Sequence, residues 1–275
     1  ISFNYATSND TATAGSDYTS TSGSLTIPAG ATSGTFNVPI LADSTDENNE
    51  TATITLSSAT NSTFSDDTAT LTIADDDSAP TLSVADVTTS NETASNATFT
   101  VSLSEASAKD ISFNYATSNG TATAGSDYTS TSGSLTISAG ATSGTFNVPI
   151  LADSTDENNE TATLTLSNAT NSTFSDDTAT LTIADDDSAP TLSIADVTTS
   201  NETASNATFT VSLSQASAKD ISFNYATSNG TATAGSDYTS TSGSLTISAG
   251  QTSATFSVPI LADSTDENNE TATLT

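Results

Sequence analysis

The sequence predicts an all-β chain of tandem seven-stranded antiparallel β-sandwiches, and three observations predict it. The stretch Ile1 to Ala6 recurs at Ile111 to Ala116 and at Ile221 to Ala226, so a unit of 110 residues repeats two and a half times along the 275 residues. A domain commonly has roughly 100 residues, so one unit reads as one domain. Inside each unit apolar residues alternate with polar or small ones, which is the period of a half-buried strand. Clusters of Gly, Asn, Ser and Asp separate the alternating runs, where turns are needed.

The full repeat from Pro80 to Ala189 supplies the elements in order. Leu82 and Val84 mark the first strand, Phe99, Val101 and Leu103 the second, and Ile111, Phe113 and Tyr115 the third. Leu135 and Ile137 mark the fourth, Phe146, Val148 and Ile150 the fifth, Leu164 and Leu166 the sixth, and Leu181 and Ile183 the seventh. Seven short strands in one such unit point to an immunoglobulin-like sandwich. Asn119-Gly120 reads as a tight turn after the third strand, and Ala139-Gly140 as the turn before the fifth. Pro149 withdraws a backbone donor from the fifth strand, which places that strand at a sheet edge or gives it a bulge. Tyr128, Phe113 and Tyr115 read as packing residues.

The expected division is a partial sandwich over residues 1–79 that lacks the first strands, a complete one over 80–189, and a partial one over 190–275 that lacks the last strands. This reads as a fragment of a longer repeat array, with any signal peptide or anchor outside it. The first and second units differ by six substitutions: Asp10 to Gly120, Pro28 to Ser138, Ile54 to Leu164, Ser58 to Asn168, Val84 to Ile194 and Glu105 to Gln215. Units so alike do the same job, as in a spacer or a polymer.

Charge narrows the partners. There are 33 acidic residues against two lysines, with no histidine, for a net charge of -31. Such a surface repels nucleic acid and anionic lipid and attracts cations. Lys109 and Lys219 occupy the same place in successive units, so salt bridges cannot neutralise the chain. With no cysteine there is neither a disulfide nor a thiolate metal site. Without His or Cys, triads and thiol chemistry are excluded, and without Trp a sugar-hydrolysing carboxylate pair lacks its usual aromatic platform. An enzyme is therefore not expected. No apolar run approaches the roughly 20 residues of a membrane helix.

If successive strands run up and down, the connections after the first, third, fifth and seventh strands emerge at one pole. Those connections carry Glu92; Asp127; Asp153, Asp156, Glu157 and Glu160; and Asp185, Asp186 and Asp187. The opposite pole has only Asp110, Asp176 and Asp177, which read as solvated surface. Crowded carboxylates take up protons or a cation. Calcium is the natural ion, since it accepts six to eight oxygens at flexible geometry, magnesium retains its waters, and zinc favours His or Cys.

Three blocks carry a resemblance: Gly125-Ser126-Asp127-Tyr128, the stretch from Pro149 through Asp153 to Glu157 and Glu160, and Ile183-Ala184-Asp185-Asp186-Asp187. In this order they resemble the Calx-beta domains of sodium/calcium exchanger regulatory loops and of large bacterial surface proteins, and the likeness covers the whole chain. The resemblance implies calcium as the bound ion and, as ligands, Glu92, Asp127, Asp153, Glu157, Glu160 and Asp185 to Asp187, with Asp186 between them and the Thr155 carbonyl as a backbone ligand. Their counterparts in the first, partial domain are Asp17, Asp43, Glu47, Glu50, Asp75, Asp76 and Asp77. In the last they are Glu202, Asp237, Asp263, Glu267 and Glu270. Calcium-sensing members carry a run of aspartates where this chain has Ala152 and Ser154 flanking Asp153. Weak sites follow, with dissociation constants on the order of 10⁻⁴ to 10⁻³ M, as in extracellular modules.

The function expected is a calcium-stiffened array of a secreted or cell-surface protein, acting as an adhesive stalk or a matrix component. The alternatives are a subunit of a self-assembling extracellular filament and a glycan-binding module of a secreted enzyme. The expected partners are neighbouring repeats of the same chain and other copies in a filament or matrix, with no nucleic acid and no membrane insertion.

Overall fold

The computed structural model describes all 275 residues and contains strands and no helix. The first repeat contributes β1 (Ser2–Asn9), β2 (Ser22–Thr26), β3 (Glu50–Thr60) and β4 (Thr68–Ile73), one sheet in the order β2-β1-β3-β4. The middle repeat contributes β5 (Thr81–Val84), β6 (Val87–Thr88), β7 (Asn96–Leu103), β8 (Ile111–Asn119), β9 (Ser132–Ile137), β10 (Ser143–Pro149), β11 (Glu160–Thr170), β12 (Thr173–Phe174) and β13 (Thr178–Ile183). They form two sheets, β10-β7-β5-β12 and β6-β13-β11-β8-β9. The last repeat contributes β14 (Leu192–Ile194), β15 (Asn206–Leu213), β16 (Ile221–Asn229), β17 (Ser242–Ile247), β18 (Ser253–Pro259) and β19 (Ala272–Leu274), in sheets β14-β15-β18 and β17-β16-β19.

All seven strands read from the middle repeat are present, joined by the short β6 and β12. Those two pair in parallel, β6 with β13 and β12 with β5, whereas the other pairings between named strands are antiparallel. The parallel pairing arises because the chain changes sheets between Val84 and Val87. Asp86 accepts the Thr180 N–H at 2.7 Å there, which seats β6 along the edge of β13. Alternation then builds the core. On β7, Ala97, Phe99, Val101 and Leu103 are buried while Thr98 and Thr100 face water. Facing them from the second sheet are Ile111, Phe113, Leu164, Leu166 and Leu181, all fully buried. Transfer of each such side chain from water contributes roughly 1.5–3 kcal/mol.

Pro149 ends β10, the edge strand of its sheet, and there its carbonyl accepts the Thr129 N–H at 2.9 Å. The Ala139-Gly140 turn forms: Gly140 has φ 78° and Ala141 N–H reaches Ser138 O at 2.9 Å. Asn119-Gly120 does not reverse the chain. Gly120 has no positive φ, and β8 reaches β9 only through residues 120–131. The Asn119 side chain braces that wide loop instead, its Oδ1 accepting the Ala124 N–H at 3.0 Å and the Tyr128 hydroxyl at 2.8 Å. Tyr128 is itself fully buried.

Candidate metal centre

The loop after β8 aims Asp127. Gly125 takes φ 98°, a conformation that favours glycine, and Asp127 Oδ2 accepts the Thr123 N–H at 2.6 Å. Tyr128, next in the chain, is the core anchor that holds this loop down. Leu151 N–H donates to Asp127 O at 3.0 Å, which ties the loop to the one that follows β10. In that second loop Asp153 Oδ1 accepts the Thr155 N–H at 2.6 Å. Glu160 opens β11 directly opposite Ile183, the end of β13, so Asp185 to Asp187 leave the sandwich beside it. Asp185 N–H is held by Asn159 Oδ1 at 3.2 Å.

Four separate connections thus meet. Carboxylate oxygens of Glu92, Asp153 and Asp187 lie within 4.8 Å of one another, and so do those of Asp127, Asp153 and Glu157. Asp153 belongs to both groups, which makes room for adjacent cations. Burial and mutual repulsion show in the protonation. Burial pushes Glu92 up to about 7, with the Asp153, Asp187 and Asp185 charges adding to it and an Asp153 backbone N–H opposing it. Glu160 is also pushed up to about 7, by burial first and then by its contact with Asp127. Glu157 and Asp187 are raised for the same two reasons.

The outer repeats repeat this in part. Asp17, Glu47 and Glu50 converge in the first, with burial and Asp17 raising Glu50 to about 7. In the last, Glu202, Asp263 and Glu267 form one group and Asp237, Glu267 and Glu270 another.

The residues fit a hard, oxygen-seeking cation. All donors are carboxylates, and Asp187 Oδ2, screened from solvent with no hydrogen-bond partner in the protein, is free to ligate a cation.

A profile of the Calx-beta domain matches residues 1–77, 75–187 and 185–275, which together span the chain. The chain belongs to the Calx-beta domain family. Calx-beta domains bind calcium, and no catalytic domain accompanies the three Calx-beta matches. Among solved structures, the chain is similar to CBD12 from CALX1.2, at 24% identity over 67% of this chain and 76% of that one, TM-score 0.38. It is similar also to the apo-form Calx CBD1 domain, at 23% identity over 39% of this chain and 98% of that one, TM-score 0.37. A third is the calcium binding domain CBD12 of CALX1.1, at 21% identity over 64% and 74%, TM-score 0.37. No curated protein sequence matches the chain.

Not every acidic residue of a Calx-beta pole turns inward. Asp186 is exposed, 3.4 Å from the Thr93 hydroxyl. Asp185 Oδ2 meets Lys219 Nζ at 3.2 Å, and its first-repeat counterpart Asp75 meets Lys109 at 3.4 Å. Asp43 caps the Thr45 N–H at 2.7 Å, as Asp153 caps Thr155, and it lines a surface hollow with Asp17, Glu47, Glu50, Asp76 and Asp77. Asp156, one of the nine carboxylates expected at the pole, turns away and is buried against the next repeat. The sequence signal for this was that the two lysines, Lys109 and Lys219, follow Asp46 and Asp156 at the same spacing.

Proposed function

We propose that each Calx-beta repeat of this chain takes up calcium at its acidic pole and that the array serves as a calcium-strengthened stalk or matrix component outside the cell. The observation that carries the reading is the buried, partnerless Asp187 Oδ2 beside Glu92 and Asp153. Glu92, Asp127, Asp153, Glu157, Glu160 and Asp187 would hold the ion, which supplies positive charge where the chain has crowded negative charge. The residues themselves do the positioning: Gly125 and Tyr128 set Asp127, and the Glu160–Ile183 pairing sets the last loop. Since Ala152 and Ser154 flank Asp153, binding is weak, matched to the millimolar calcium of an extracellular setting. Near-identical repeats support a mechanical role shared evenly along the chain.

Thermal melting of the full chain in chelator and in millimolar calcium tests this. At ten times the dissociation constant each site adds about 1.4 kcal/mol, which is a rise of roughly 5–10 °C for a domain of this size. An unchanged melting temperature overturns the reading.

A further inference from the structure

The two lysines do not pair within their own repeats. Lys109 Nζ lies 2.7 Å from Asp46 Oδ1 and Lys219 Nζ 2.7 Å from Asp156 Oδ1, in each case an aspartate of the preceding repeat. The serine two residues earlier completes the grip, with Ser107 Oγ 2.7 Å from Asp46 Oδ2 and Ser217 Oγ 2.7 Å from Asp156 Oδ2. Backbone joins in, as Ala108 N–H donates to Asp46 O and Ala218 N–H to Asp156 O, both at 3.0 Å. Asp46 and Asp156 are each only 4% exposed.

We propose that successive repeats are locked by a polar clamp that needs no calcium, in which the aspartate of one repeat seats in a Ser-Ala-Lys socket on the next. The socket is preformed within its own repeat. Gly250 N–H holds the Ser217 carbonyl at 2.8 Å, and Lys219 N–H donates to Ser217 Oγ at 3.0 Å, which turns the hydroxyl proton toward Asp156. Both carboxylate oxygens and the main-chain carbonyl of Asp156 then have donors, which is the condition under which a buried charge is tolerated. These three bonds to Asp156, with Lys219 Nζ also 3.2 Å from Asp185 Oδ2, restrain how the two sandwiches sit against each other. A pair of this kind adds more orientation than net affinity. Affinity is not needed, because the short connection from Ile183 to Leu192 keeps aspartate and socket at high effective concentration. Asp266, the counterpart in the last repeat, meets no such socket and is exposed.

Paired spin labels test the clamp. The chain has no cysteine, so Ser24→Cys with Thr163→Cys reads the first joint and Thr163→Cys with Thr208→Cys the second, all at exposed positions. In chelator, both pairs are expected to give a single narrow distance distribution. The double variant Ser217→Ala with Lys219→Met loses the narrow peak at the second joint and keeps it at the first, and an unchanged distance between labels at Thr208→Cys and Ser244→Cys shows that the last repeat is still folded. The milder Lys219→Met alone broadens the second peak. A broad distribution for the unsubstituted chain in chelator, or an undisturbed second joint in both variants, overturns the proposal. Narrowing that requires calcium overturns the clamp and leaves the calcium reading standing, whereas a melting temperature indifferent to calcium does the reverse.

Discussion

Leu82 and Leu192 occupy the same place in successive repeats, in the same Thr-Leu-Ser setting, yet Leu82 is wholly buried and Leu192 is 43% exposed. Residues Ser143 to Pro149 form β10 along β7, while the identical Ser33 to Pro39 form no strand, having no second strand of their own repeat beside them. Val87 and Thr88 form β6 against β13; Val197 and Thr198, without that neighbour, form none. Contact across the sandwich survives all the same, since Phe36 stacks on Tyr5 at 4.0 Å much as Phe146 stacks on Tyr115 at 3.9 Å. Aromatic contact brings the segment to the right place, but the partner strand makes it a strand. Strand propensity here is a statement about neighbours.

The largest expected effect breaks or sharpens this contrast directly. Leu82→Ala should destabilise the middle repeat by about 2–5 kcal/mol, the range for a buried leucine truncated in a packed core. Leu192→Ala should change stability by no more than about 1 kcal/mol, because little packing is lost at a half-exposed site. Urea unfolding of the two variants decides it, and equal losses would mean that Leu192 is covered in solution. Next in size is Gly125→Ala. No atom lies within 4 Å of where the added Cβ would stand, so the whole effect is backbone strain at φ 98°, about 1–2 kcal/mol. A calcium titration of that variant should also weaken, since the same turn aims Asp127.

The poles differ as the cores do, and pH exposes the difference. Glu92 and Glu160 have folded pKa values of about 7, above the ordinary carboxylate value. Groups raised on folding stabilise the protein below their unfolded pKa and lose that contribution as pH rises through the folded one. In chelator, stability should therefore fall between about pH 4.5 and pH 7 and level off above. Glu92→Gln, which removes one of the raised groups, should make the fall shallower. Calcium should flatten the curve, because the ion replaces the protons. A pH series of melting curves with and without chelator measures both slopes.

Much of this architecture is legible in the sequence because period-two alternation is local: Ala97, Phe99, Val101 and Leu103 are read as one buried face before any partner is known. Strand parity likewise puts Glu92, Asp127, Asp153 and Asp187 at one end, since direction follows from counting. What escapes is whatever depends on a distant neighbour. Val87 becomes a strand only through β13, and Asn119 looks like a turn residue until Tyr128 claims its side chain. Asp156 and Glu157 are adjacent and chemically alike, yet one faces the pole and the other a serine and a lysine 61 and 63 residues on. Charge is written in the sequence; the direction in which a side chain points is settled by packing.

The smallest expected effect tests whether the two ends of a repeat are as unlike as their charge. Asp110 sits at the end opposite the carboxylate cluster, where its Oδ1 accepts the Ala139 N–H at 2.9 Å and its main-chain oxygen accepts from Asn171 Nδ2 at 2.9 Å. Asp110→Asn retains an oxygen for Ala139 and removes one charge far from Glu92 and Asp187, so stability should move by about 0.5 kcal/mol or less. The calcium-induced rise in melting temperature should be unaltered. Glu92→Gln removes one charge as well, but from within the Glu92, Asp153 and Asp187 group. That variant should raise stability in chelator above pH 7, where the lost charge was repelled by its neighbours, and should shrink the calcium response. If both substitutions shift the calcium response equally, the ion answers to the net charge of the chain and not to the convergence of particular oxygens at one pole.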